Sequence, residues 1–149
     1  MKQNKKQFPA ELSYYGLYLL DYLKKYHPEK ASDADFISVR EESAAGTFES
    51  VRMAGGTVEA AQEEAMRVLI EGIHFSPYAL LLEVVEKEFS DDVPEGRREP
   101  FCRNLYPYLK NLFAGYDTSD DDFALSPEYG LLYTELTGTV MLYLEQHGI

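Results

Sequence analysis

The sequence predicts an all-α fold, a single compact bundle of about six helices in one domain spanning residues 1–149. Three observations carry this. Apolar residues recur at three- and four-residue spacing along most of the chain. The breaks between those runs read as helix caps, with Ser32, Thr57, Ser76 and Ser126 each standing ahead of a periodic stretch. No segment alternates strictly between apolar and polar residues, and no Asn-Gly or Asp-Gly hairpin signal occurs.

The first helix is expected from about Pro9 to Tyr26, with Leu12, Leu19, Leu20 and Leu23 on one face. His27-Pro28 ends it, because the residue before proline is biased away from helix. Ser32 then caps a second helix, whose first turn holds Asp33 and Asp35 at the positive end of the dipole. That helix turns Phe36, Ile37, Ala44, Phe48 and Val51 inward and stops at Ala54-Gly55-Gly56. Thr57 caps a third helix with Val58, Ala61, Ala65, Leu69 and Ile73 in register. Ser76-Pro77 opens the fourth, since proline in the first turn has no N–H to leave unpaired. "SDDVPEG" is a loop, and a fifth helical region to about Ala114 is interrupted at Pro100 and kinked at Pro107. Ser126-Pro127-Glu128 opens a sixth helix that runs nearly to the end. Gly16, Gly46, Gly72 and Gly138 fall inside these helical patterns, either tolerated or placed for close helix crossing.

The net charge of −12 argues against direct nucleic-acid binding through a basic face and suits a basic partner. A single cysteine, Cys102, allows no intrachain disulfide and fits a reducing cytoplasm. The basic start "MKQNKK" is not followed by an uninterrupted apolar run, so neither a signal peptide nor a membrane span is expected.

Candidate chemistry is sparse. "DTSDDDFALSPE" sets Asp117, Ser119, Asp121 and Glu128 at the spacing of a calcium loop, yet Asp122 stands where that loop needs glycine. An acidic turn before the last helix accounts for the same residues. Glu71-Gly-Ile-His74 is half of a di-iron carboxylate motif if it lies on a helix. The other half is missing, because neither His27 nor His147 has glutamate three residues before it. These five residues, Glu71, His74, Asp117, Asp121 and Glu128, are weak metal candidates, and no cofactor is expected. Arg98 and Arg103 near Cys102 could lower its pKa, but no histidine is at hand as a base, and Cys102 is read as a small semi-buried residue on the fifth helix. No catalytic constellation assembles.

The tyrosines are more informative, at 12 with no tryptophan. Tyr14, Tyr18, Tyr22 and Tyr26 recur every four residues. That row drifts about 40° per step, sending Tyr22 and Tyr26 toward the core and Tyr14 and Tyr18 outward beside Leu17. In the last helix Tyr129, Leu132, Leu136, Val140 and Tyr143 share one face, while Leu131 and Leu142 lie on another near Glu135. Outward aromatic and leucine side chains of this kind are enriched at interfaces.

With "ELSYYGLYLLDYL", "GIHFSPYALLLEVV" and "SPEYGLLYTELTGTVMLYLEQHGI", the chain resembles a bacterial family of small all-helical proteins catalogued as a domain of unknown function. Its members are often found among mobile-element genes. The resemblance implies a helical fold and an accessory role in mobile-element biology, and it carries no catalytic residues. The expectation is therefore a cytoplasmic, non-enzymatic domain for binding a protein partner or itself. The alternatives are an acidic regulator filling the basic groove of a DNA-handling protein and, less well supported, a metal-binding protein using Glu71 and His74.

Overall fold

The structure is a computed structural model that describes residues 13–149. Among them it contains helices and turns and no strand, so the all-α expectation holds. Packing gathers the chain into two compact units, one ending at Glu71 and the other running from Gly72 to Ile149.

In the first unit α1 spans Tyr14–Tyr26, α2 Ala34–Met53 and α3 Val58–Leu69. The Ser13 hydroxyl accepts the Gly16 N–H at 3.3 Å, which starts α1 at Tyr14. The expected start near Pro9 and the inward Leu12 lie outside the described residues. Leu19 and Leu23 are buried as their spacing requires, and the His27 N–H closes the helix on the Leu23 carbonyl. Asp33, rather than Ser32, caps α2 by accepting the Phe36 N–H at 3.1 Å. A short 3-10 turn over Pro28–Lys30 sets this register, because the Asp33 N–H is tied back to Lys30.

Gly55, at φ +97°, makes the turn from α2 to α3. Gly56 is packed so close to Val51 that a Cβ there would lie 2.5 Å from the valine side chain. Thr57 caps α3 as expected, through the Ala60 N–H at 3.0 Å. Arg40, early in α2, donates to the Leu69 carbonyl at 3.0 Å, which runs the two helices antiparallel and satisfies an end carbonyl of α3. The core here is thin. Leu19, Leu23, Ile37 and Leu69 are its large side chains, and Ala44, Ala61 and Ala65 let α2 and α3 approach closely. Val58, expected inward, is exposed at the helix entrance, and Tyr26 stays exposed while its ring packs 4.9 Å from Tyr22.

In the second unit α4 spans Pro77–Glu88, α5 Arg98–Leu105, α6 Lys110–Ala114 and α7 Glu128–His147. Ser76 caps α4 through the Ala79 N–H at 2.9 Å. Pro100 does not interrupt α5. It sits in the first turn, where its lack of an N–H leaves no bond unmade. Pro107 does break the helical region, through a 3-10 segment over Tyr106–Leu109. Ser126 does not cap α7, because its hydroxyl donates to the Phe123 carbonyl at 2.7 Å instead. Gly72, at φ +83°, stands in the turn after α3 and not inside a helix. Gly46 and Gly138 are helical, but a Cβ at either would meet open space, so close crossing is not their reason.

The core of this unit joins Leu80, Leu81, Val84 and Val85 of α4 with Leu132, Leu136 and Val140 of α7 and Phe101, Cys102 and Leu105 of α5. Phe123, from the loop before α7, packs among the rings of Phe75, Tyr116 and Tyr129. Tyr78 is buried beside Tyr106, and its hydroxyl has no hydrogen-bond partner among the described residues. Desolvation of that kind costs about 1–3 kcal/mol, and replacing the group by an apolar one of the same shape removes the cost. Tyr78→Phe is therefore expected to leave urea stability unchanged or raise it by about 1 kcal/mol. A clear loss of stability would show that the hydroxyl has a partner.

Candidate functional site

The acidic turn has a structural use. Asp121 reaches back to the segment before α4, accepting the Gly72 N–H at 3.0 Å and the His74 N–H at 3.1 Å. The His74 imidazole lies 3.7 Å from the same carboxylate. Asp117 accepts the Ser119 hydroxyl and Asp120 the Asp122 N–H, both at 2.9 Å, so the loop folds on its own side chains. Glu128 begins α7 at the positive end of its dipole. Glu71 and His74 are not a helical pair, because α3 ends at Leu69 and Gly72 turns the chain between them. Among the described residues no group of three His, Cys, Asp or Glu is placed to hold a metal ion. Of the five metal candidates, the structure brings together only Asp121 and His74.

Cys102 is fully buried, and burial pushes its thiol up to about 12. This agrees with the reading of a semi-buried residue on the fifth helix, and Arg98 and Arg103 do not lower the thiol, because burial dominates and both guanidinium groups are engaged elsewhere. Arg98 donates to the Val93 carbonyl and Arg103 to Glu99.

The interface candidates are exposed. On α1, Tyr14 is 60%, Leu17 54% and Tyr18 40% accessible, with the Tyr14 and Tyr18 rings 6.3 Å apart. On α7, Leu131 is 63% and Leu142 58% accessible, while Leu132, Leu136 and Val140 on the opposite side are at 0%. Eleven residues separate Leu131 from Leu142, about three turns and 16 Å, so they stand on one line of the helix. Met141, 46% accessible, flanks that line and was not singled out by the sequence, although its spacing from Leu131 puts it at the edge of the same face.

Hydrogen bonds fix the rotation of α7. The Tyr133 hydroxyl donates to Glu88 at 2.9 Å, and burial together with that carboxylate pushes the phenol up to about 12. The Tyr116 hydroxyl donates to Glu135 at 2.6 Å, a bond that raises its pKa as well.

Two hollows border the helix. One, of about 270 Å³, has Phe89, Met141 and Leu144 as its apolar lining and Asp92 and Glu145 as its acidic wall. The other, of about 210 Å³, lies against Phe101 and Tyr143, with Arg97, Asn104 and His147 around it. Sequence reasoning missed both, since each joins residues of separate elements. No described helix is long and apolar enough to cross a membrane.

Comparison with known proteins agrees with this architecture. The family model described as Domain of unknown function (DUF1896) matches residues 7–149. The crystal structure of protein PG0816 from Porphyromonas gingivalis is similar, with 38% sequence identity, a TM-score of 0.84 and coverage of 91% of this chain and 92% of that one. No curated protein matches the chain.

The burial of Cys102 yields a test. In the unfolded chain a thiol ionises near 9, whereas the folded one keeps its proton to about 12. Between those values the unfolded state binds fewer protons, so stability is whole below pH about 9 and falls as pH rises toward 12. Native protein at pH 8 is expected to resist a thiol-specific reagent that labels it at once in denaturant. Rapid labelling of the folded protein would contradict the buried, protonated thiol.

Proposed function

We propose that this chain, which belongs to the family described as Domain of unknown function (DUF1896), is a non-enzymatic domain for binding another protein or a second copy of itself. One observation carries the reading. α7 is apolar on two opposite sides, and only the Leu132–Leu136–Val140 side is used by the core. Leu131, Met141 and Leu142 are left exposed on the outward part of a helix whose rotation is held by packing and by Tyr133. Large apolar side chains held outward on a fixed helix, among polar residues, are enriched at interaction sites. The Tyr14–Leu17–Tyr18 patch on α1 is a second surface of the same character.

Among the described residues the candidate groups for catalysis are not brought together. The one cysteine is buried and protonated, and the half-motif at Glu71 and His74 is broken by a turn. An accessory role in mobile-element biology, in the cytoplasm, is consistent with the reading. The acidic-regulator alternative draws support from the charge of the second unit. Residues 72–149 hold 14 Asp and Glu against 5 Lys and Arg, a net −9.

Replacing Leu131 and Leu142 together by serine is expected to abolish assembly, seen as a lower mass in light scattering or as loss of a co-purifying partner. Both sites are exposed, so stability should change by less than about 0.5 kcal/mol per site. The pair Tyr14→Ser and Tyr18→Ser tests the α1 patch in the same way. Unchanged mass and unchanged partner recovery in both double variants would remove these surfaces from consideration.

A further inference from the structure

We infer that the flank of α7 at Phe89, Met141 and Leu144 is a docking site for a basic amphipathic helix of a partner protein. The inference rests on reading α7 as an interaction surface and specifies what it receives. The hollow there, about 270 Å³, is smaller than the roughly 300–1,000 Å³ typical of small-molecule sites. It has room for one or two side chains. Its lining is mixed, with Phe89, Met141 and Leu144 on one side and the Asp92 and Glu145 carboxylates on the other.

Lysine and arginine match such a place. Their aliphatic stems lie on Phe89, Met141 and Leu144 while the charged ends reach the carboxylates. Neither Asp92 nor Glu145 has a cationic partner among the described residues. Three of the unit's five cations are drawn elsewhere, Lys87 to Glu83 at 2.9 Å, Arg103 to Glu99 and Arg98 to backbone carbonyls. A net −9 over residues 72–149 adds long-range attraction for a basic segment and repels an acidic one.

The apolar contacts set the shape of the partner. Leu131 and Leu142 mark a line about 16 Å long that meets the hollow at its Leu142 end, and an amphipathic helix of about three turns would cover it. Its leucine-like side chains would meet that line and Met141, and its basic side chains would fall toward Asp92 and Glu145.

The test uses the full chain and a fluorescent 18-residue peptide of leucine and lysine at helical spacing, followed by anisotropy. The peptide is expected to bind. Asp92→Asn with Glu145→Gln should weaken it about tenfold at low salt, the effect of losing two partly screened pairs, and less at high salt. Asp117→Asn with Asp120→Asn, which removes the same charge from the acidic turn, should cost much less, since only the long-range attraction is reduced. A peptide of the same composition with its leucines scattered off one face should bind much more weakly. Equal binding of the scrambled peptide, equal losses from the two charge variants, or no binding of the amphipathic peptide would each overturn the inference. If partner recovery still depends on Leu131 and Leu142 in those cases, α7 remains an interaction surface and only the class of partner is wrong. If neither dependence is seen, both readings fall.

Discussion

A helix can give only one face to a core, and the structure of the second unit follows from which face α7 gives. Leu132, Leu136 and Val140 are fully buried against α4 and α5. Each such side chain contributes roughly 1.5–3 kcal/mol on burial. Turning the helix over would bury Leu131 and Leu142, but it would also bring Glu135 and Glu145 toward the core, where unpaired carboxylates are far more costly. The Tyr133–Glu88 bond pins the same rotation from the side. The outward ridge is therefore a consequence of the core, held in place before any partner arrives. A surface fixed in this way loses little conformational entropy on binding.

The two units reach stability by different means. The first has few large side chains and relies on alanines that let α2 and α3 approach closely, with Arg40 closing the end of α3. The second is dense in aromatic side chains, with Phe123 enclosed by the rings of Phe75, Tyr116 and Tyr129. The aspartates before α7 belong to this second arrangement. Asp121 ties down the two backbone N–H groups after the Gly72 turn, so the loop orders the entrance to α4. An acidic sequence that could have been a cation site is used as a brace.

Much of this was legible in the chain because it rests on short-range rules. Thr57 and Ser76 cap where their positions predict, and the inward faces of α1, α3 and α7 follow from helical spacing. The errors lie where two local rules compete or where tertiary packing decides. Ser32 and Asp33 are adjacent acceptors, and the preceding turn selects the second. The Ser126 hydroxyl could serve α7 or the turn behind it, and it serves the turn. Gly72 ends a helical pattern that apolar spacing alone extends through Ile73. The exposure of Leu131 and Leu142 could be read from periodicity. The hollow beside them could not, because Phe89 and Asp92 are about fifty residues from Met141 in sequence and meet it only through packing. Cys102 is the buried small residue its place on the fifth helix suggests, and burial outweighs its charged neighbours in sequence.

On the proposed reading, the outer face of α7 is covered when this protein is assembled. Hydroxyl-radical footprinting, comparing the free protein with the assembly isolated from its host, reads that face directly. Leu131, Met141 and Leu142 are expected to be labelled in the free protein and protected in the assembly. Protection of another surface, with these three side chains labelled equally in both states, would contradict the account.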